Sequence, residues 1–213
     1  MTAIRAFLWR RPDWWCVAGA LVAWALLIGH AMRGLGAWLV MIFAMMVPVR
    51  LASLRHVAFR SLAERRHRAI AGYLVGYLAP WLLLGALASA AAAFLVSPIA
   101  AIALFALAAI WTLMPARARA LAVSHRTYPL APIGFRADLG CMMHGLHNGV
   151  ACALASGPLM LACAATGHTL VSMIAGAALA LAERRSSEPR PLRLAASQLA
   201  LATAFSIAAI LRS

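Results

Sequence analysis

The sequence predicts an all-α fold: a polytopic transmembrane helix bundle of about seven spans, forming a single integral membrane domain over residues 1–213. Three observations predict it. First, 65% of the residues are hydrophobic and 11% charged, whereas a soluble domain has about 45–50% apolar residues, so the polar residues are too few to cover such a core in water. Second, seven apolar stretches approach the ~20 residues that cross a bilayer. Third, the arginines fall almost entirely in alternate connections between those stretches.

The first stretch, Trp14 to Met32, follows Arg5, Arg10 and Arg11. Its basic start fits a signal peptide, and Arg10-Arg11 suggests a twin-arginine signal, but Pro12-Asp13 stands where that signal requires apolar residues, so a retained anchor is expected. The second, Gly34 to Val49, is short, and Pro48 loosens its end. The third, Ala69 to Val96, and the fifth, Leu139 to Thr166, are long enough to tilt or to begin outside the lipid. Ser97-Pro98 separates the third from the fourth, Ile99 to Met114, and Gly167-His168 separates the fifth from the sixth, Thr169 to Ala182; both read as tight helical hairpin turns. The seventh runs from Leu194 to Leu211.

Arginine placement orients the bundle. With seven spans, 17 arginines collect on one side and only Arg33 and Arg212 on the other, which puts the amino terminus in the cytoplasm and the carboxyl terminus outside a bacterial inner membrane. The net charge of +14 is therefore read as loops facing anionic headgroups, the expected partner, and not as a nucleic-acid surface. The chain has no lysine, which removes Schiff-base and lysine-base chemistry. Its four cysteines, Cys16, Cys141, Cys152 and Cys163, lie in or beside apolar runs and imply no disulfide framework. No GxxxxGK[ST] loop is present, so a nucleotide-driven pump is not expected, and with no nucleophile beside an oriented base an enzyme acting on a lipid or quinone ranks third among the readings.

The fifth stretch carries the chemistry. Cys141, His144, Asn148 and Cys152 are spaced by three, four and four residues, so they form one stripe on a helix, with His147 on the neighbouring row. Ionisable groups in lipid face the bundle interior and point to function by default, and a cysteine, methionine and histidine set favours Cu(I), with zinc or haem iron also open to imidazole. The competing reading is packing: His144 and Asn148 bond to a neighbouring helix while Gly145 and Gly149 form a small-residue seam. Met45 and Met46 in the second stretch are further candidate ligands. Counting the rise of each helix from its basic end places Met46 and His144 within one turn of each other in depth, so Met45 or Met46 is expected to approach His144, His147 or Cys141. His30 and His168 are expected at wet outer ends, and His56, His67 and His125 among cytoplasmic arginines in contact with headgroups. Glu183 is expected in a helix-end ion pair beside Arg184 and Arg185, and Asp138 at a helix start, where the dipole favours it.

At these residues the sequence resembles a family of bacterial proteins described as predicted metal-binding integral membrane proteins. Ala44-Met45-Met46-Val47-Pro48 looks like its Ala-Met-Met-x-Pro signature, Gly76-Tyr77-Leu78-Ala79-Pro80-Trp81 like its Gly-Tyr-Leu-x-x-Trp segment, and Gly145, Gly149, Cys152, Leu159-Met160, Gly167 and Glu183 follow the spacing of its cysteine-rich helix. Most of the family's cysteines are replaced here: Ala120 and Ser124 stand at one pair, and Ala155, Ser156 and Gly157 at a Cys-Cys-Trp run. The resemblance implies a membrane carrier or insertion factor for a soft metal, copper first, with Cys141, His144, His147, Cys152, Met45 and Met46 as the candidate ligands. A metal-free structural or assembly subunit of a larger membrane complex is the alternative.

Overall fold

The computed structural model describes residues 10–29, 34–91, 97–131, 133–167, 169–185 and 191–210. Among them every regular element is helical: α1 (Trp14–Gly29), α2 (Gly34–Val49), α3 (Leu51–Arg60), a 3-10 turn (Ala63–Arg65), α4 (Arg66–Ala90), α5 (Pro98–Leu113), α6 (Pro115–Ser124), α7 (Phe135–Ala165), α8 (Leu170–Arg185) and α9 (Pro191–Ile210). Over its described residues, each of the seven apolar stretches is occupied mainly by one helix. The two additional helices, α3 and α6, fold the basic connections.

Two helical runs, Ala63–Ala90 and Phe135–Ala165, are long and apolar enough to cross a membrane, and up to four are if each bent pair, Gly34–Val49 with Leu51–Arg60 (69°) and Ile99–Leu113 with Pro115–Ser124 (80°), is one span. For four of the seven helices the difference is one of length. Helices α1, α2, α5 and α8 have 16 residues each, which at 1.5 Å per residue gives about 24 Å against a hydrocarbon core of about 30 Å. Seven crossings would require the bilayer to thin around the short helices. The bends have local causes: Pro48 lies inside the end of α2, and Pro115 opens α6 straight after α5, where its ring cannot continue the preceding helix.

The α4·α7 pair is the most extensive helix contact among the described residues, and α5, α6 and α8 also pack on α7. Glycine allows the close approach. A Cβ at Gly145 would collide with the Tyr73 carbonyl oxygen and lie 3.0 Å from the Tyr77 amide nitrogen, one at Gly76 would collide with the Met142 carbonyl, and one at Gly149 would collide with the Tyr77 carbonyl. The two backbones therefore touch, as the expected Gly145/Gly149 seam requires. Helix α2 packs chiefly on α1, α4 and α8. There Trp38 fills the space left by Gly85, and its Nε1 donates to the Trp81 carbonyl at 2.8 Å.

Ser97 begins α5 where a hairpin boundary is expected. Its Oγ accepts from the Ala100 amide at 3.0 Å and Pro98 follows in the first turn, a helix-start arrangement that satisfies one orphan donor. Gly167 ends the α7 region with φ +72°, a conformation natural to glycine. The expectations placed on His30, Arg33, His168 and Arg212 lie outside the described residues.

Gly145→Ala is expected to destabilise the bundle by about 1–3 kcal/mol through backbone collision. Gly140→Ala, whose Cβ would meet only Leu130 Cδ2 at an ordinary 3.6 Å, should be neutral or slightly stabilising. Unfolding in detergent checks the pair, and equal effects would contradict the seam.

Candidate functional site

The stripe expected on the fifth stretch is the buried face of α7. Cys141, His144, Asn148 and Cys152 are 1%, 2%, 0% and 3% exposed, respectively, while His147 on the next row is exposed. The helical rise spreads them: His144 lies about 4.5 Å along the axis from Cys141 and about 12 Å from Cys152, so the stripe cannot act as a single ligand cluster.

His144 stands in an aromatic cage. Its ring meets Tyr73 of α4 at 5.3 Å between centroids, Tyr128 at 5.2 Å and His56 of α3 at 6.1 Å, all edge to face. Both ring nitrogens of His144 are buried without a hydrogen-bond partner, as are Nε2 of His56 and Oδ1 of Asn148; the Arg126 backbone lies toward the His144 ring but outside hydrogen-bond geometry. Leaving a buried polar atom unpaired costs about 1–3 kcal/mol, so this concentration at one place calls for a partner. Asn148 behaves as the packing reading expects on its other atom: Nδ2 donates to Tyr73 Oη at 3.1 Å. His147 Nδ1 lies 2.8 Å from the Met143 carbonyl; in the neutral ring that contact assigns the proton to Nδ1 and leaves the Nε2 lone pair for a ligand. Tyr128 sits between the two α7 histidines, 5.7 Å from His147.

Farther along α7, the Cys152 Sγ accepts from Tyr77 Oη at 3.2 Å. Arg50, 2% exposed, lies over the Tyr77 ring at 5.6 Å and donates to the Ser124 carbonyl at 2.5 Å. Cys141 packs beside Gly72 of α4.

Met45 goes elsewhere. Met45 Cε lies 3.0 Å from where a Cβ of Gly176 would stand, beside Cys163 Sγ at 2.9 Å and Met160 Cε at 4.0 Å. Cys163 is 19 residues, about 28 Å, along α7 from His144. The expected approach of Met45 to His144 is therefore corrected: equal depth was inferred from the ends of two helices, but α7 starts well before the level at which α2 bends. Met46 is 1% exposed in the apolar core.

Sequence reasoning missed the cross-chain partners of the charges. Arg117 Nη1 and Nη2 hold Glu183 Oε1 and Oε2 at 2.6 Å each, and Arg117 Nε donates to the Ala155 carbonyl at 3.0 Å, so Glu183 pairs across helices. Asp13 accepts from Arg55 Nε at 2.9 Å, and Asp138, in the first turn of α7 as expected, holds Arg65 and Arg68. His67 Nδ1 accepts from Trp15 Nε1 at 3.2 Å. The one available signal was the scarcity of acids: with five acids for nineteen arginines, each acid in an apolar bundle has a cation to meet.

Among the described residues no group of three or more His, Cys, Asp or Glu side chains is placed to hold a metal ion. What the geometry defines is an apolar all-helical bundle whose donor atoms lie along one buried helix, with an unpaired imidazole at the centre. The chain belongs to the PpoB2 copper chaperone family, whose model matches residues 35–207. No curated protein and no solved structure matches it.

Glu183→Ala is expected to cost about 3–5 kcal/mol by stranding a buried guanidinium, since the paired side chains are 8% and 7% exposed. Adding Arg117→Met should recover much of the loss. Denaturation of single and double variants checks this, and additive losses would show that the pair is not coupled.

Proposed function

We propose that this protein is a multi-pass inner-membrane chaperone that holds Cu(I) on the inner half of α7 and passes it to an acceptor, as a carrier or insertion factor. The observation that carries the reading is His144: an imidazole 2% exposed with neither nitrogen bonded, in a chain of a copper chaperone family. A packing residue at that depth would be expected to find a partner, as Asn148 Nδ2 does. Cys141, one turn before His144, and His147, with its Nε2 lone pair, are the neighbouring donors. Cys152 and Met45 belong to other levels of the bundle, and Met46 lies in the apolar core. Ser124 and Ala155, which stand where the resemblance places cysteines, are buried and their carbonyls receive arginines, which leaves the imidazoles as the principal donors in this chain.

The topology proposed is seven spans with the amino terminus inside, supported by the 17-to-2 division of arginines. Arginines without protein partners then meet anionic headgroups. Reporter fusions test it: a fusion after Arg126 should report the cytoplasm and one after Pro98 the outside, and the opposite pattern would reverse the orientation.

Protein purified in mild detergent and loaded anaerobically with Cu(I) is expected to retain the metal after desalting. Replacing His144 and His147 together with alanine should abolish retention while leaving the bundle folded. Wild-type protein that emerges free of copper would remove the reading, and the metal-free assembly subunit would stand in its place.

A further inference from the structure

We infer that His56 and His144 form a two-imidazole site that clasps a single Cu(I) ion between α3 and α7. The inference rests on the copper reading above and adds to it a ligand from the basic connection, where a histidine among arginines is expected to contact headgroups instead.

The geometry carries it. A ring nitrogen lies about 1.2 Å from the centre of its imidazole, the radius of a five-membered ring with bonds near 1.35 Å. Bonds of about 2.0 Å from an ion to each imidazole then set the ring centres about 6.4 Å apart when the two nitrogens oppose one another. The His56 and His144 rings are 6.1 Å apart with an interplanar angle of 82°. The rings meet edge to face, so one imidazole has to turn about its Cβ–Cγ bond before a nitrogen of each faces the other across the ion. A nitrogen on each side is also available: both of His144 and Nε2 of His56 are buried and unpaired. Direct hydrogen bonding between the rings would use those atoms, and the structure has none.

The surroundings select the ion. Tyr73 and Tyr128 close two further sides of His144, which leaves little room for the four ligands of tetrahedral zinc. Arg50 lies over Tyr77, whose ring stacks on Tyr73 at 6.0 Å, so a fixed positive charge stands two rings away from His144. Two neutral imidazoles near a buried guanidinium favour a monocation over a dication. The site differs from the sulfur-lined region around Gly176, where Cys163 already donates to the Ser172 carbonyl at 3.3 Å.

X-ray absorption and Cu(I) competition titration of the full chain, reduced and in detergent, test the inference. Expected are one ion at low coordination with a nitrogen-only first shell and imidazole outer-shell scattering. His56→Ala should weaken Cu(I) by at least about a hundredfold, since even partners behind a ligand are worth ten- to a hundredfold. His56→Met should restore part of the affinity with one sulfur in the shell, and His67→Ala in the same segment should change nothing. Copper bound at full affinity by His56→Ala but lost from His144→Ala would overturn the pair and leave the copper reading intact. A sulfur-containing shell in the wild type would overturn it too, and this measurement does not depend on any variant folding. A wild type that takes no copper would remove both.

Discussion

The contact on which the other structural features depend is backbone against backbone between α4 and α7. Gly76 faces the Met142 carbonyl, while Gly145 and Gly149 face the carbonyls of Tyr73 and Tyr77. At that separation no side chain intervenes, so the register of the two helices is fixed to within less than a turn. A shift of one turn would place the next side chain where a glycine is required, with overlaps no rotamer can relieve. Because the register is fixed, Tyr73 meets His144 and Asn148, and Tyr77 meets Cys152. The polar ladder follows from the glycine seam, so packing and function are alternatives only for individual atoms of the stripe.

The arginines do more than record orientation. Arg50 reaches into the bundle at the bend between α2 and α3 to bond the last residue of α6, and Arg117 ties α6 to α7 and α8 through the Ala155 carbonyl and Glu183. Both bends thus have a guanidinium bonded to a helix carbonyl. A planar, always-charged group with five donors suits that task where a lysine would not, and in a low-dielectric interior each such bond is stronger than in water and costly to break. The basic connections are therefore built into the bundle, with α3 carrying His56 against α7 as a result.

How much of this was legible in the sequence depends on the range of the interaction that decides it. Helix positions were legible because apolar composition, Ser97-Pro98 and Gly167 act within a turn or two; α2 spans the same residues, Gly34–Val49, in the reading and in the structure. The buried stripe was legible for the same reason, since periodicity alone puts Cys141, His144, Asn148 and Cys152 on one face. Helices α3 and α6 were not, because strings of arginine read as solvated loops until one sees that several have carbonyl or carboxylate partners. The position of His56 was hidden: it is 88 residues from His144 in the chain, and only the bend after Pro48 folds α3 back on α4, from where the His56 ring reaches His144. Depth failed for a related reason. Counting from helix ends assumes that all helices start at one plane, whereas α7 is 31 residues long and overshoots that plane, so Met45 meets Cys163 instead of His144.

A buried imidazole pair without partners is a liability unless something binds it. Each unpaired group costs about 1–3 kcal/mol, and the folding margin of a protein is only about 5–15 kcal/mol, so the three nitrogens of His56 and His144 with Asn148 Oδ1 are a large fraction of it. The surroundings show that the cost is local: Tyr73 against the ring, and Tyr77 and Cys152 farther along the α4–α7 seam, all find partners. A ligand that binds the folded chain restores the stability by mass action. For a chaperone that coupling is useful in both directions. A site with two neutral donors holds a monocation firmly enough to exclude water and solvent thiols, yet leaves coordination positions through which an acceptor's own ligand can enter before either imidazole departs. A saturated cluster of four thiolates would hold the ion more tightly and release it more slowly, so the sparse donor set at α7 fits handing copper on better than storing it.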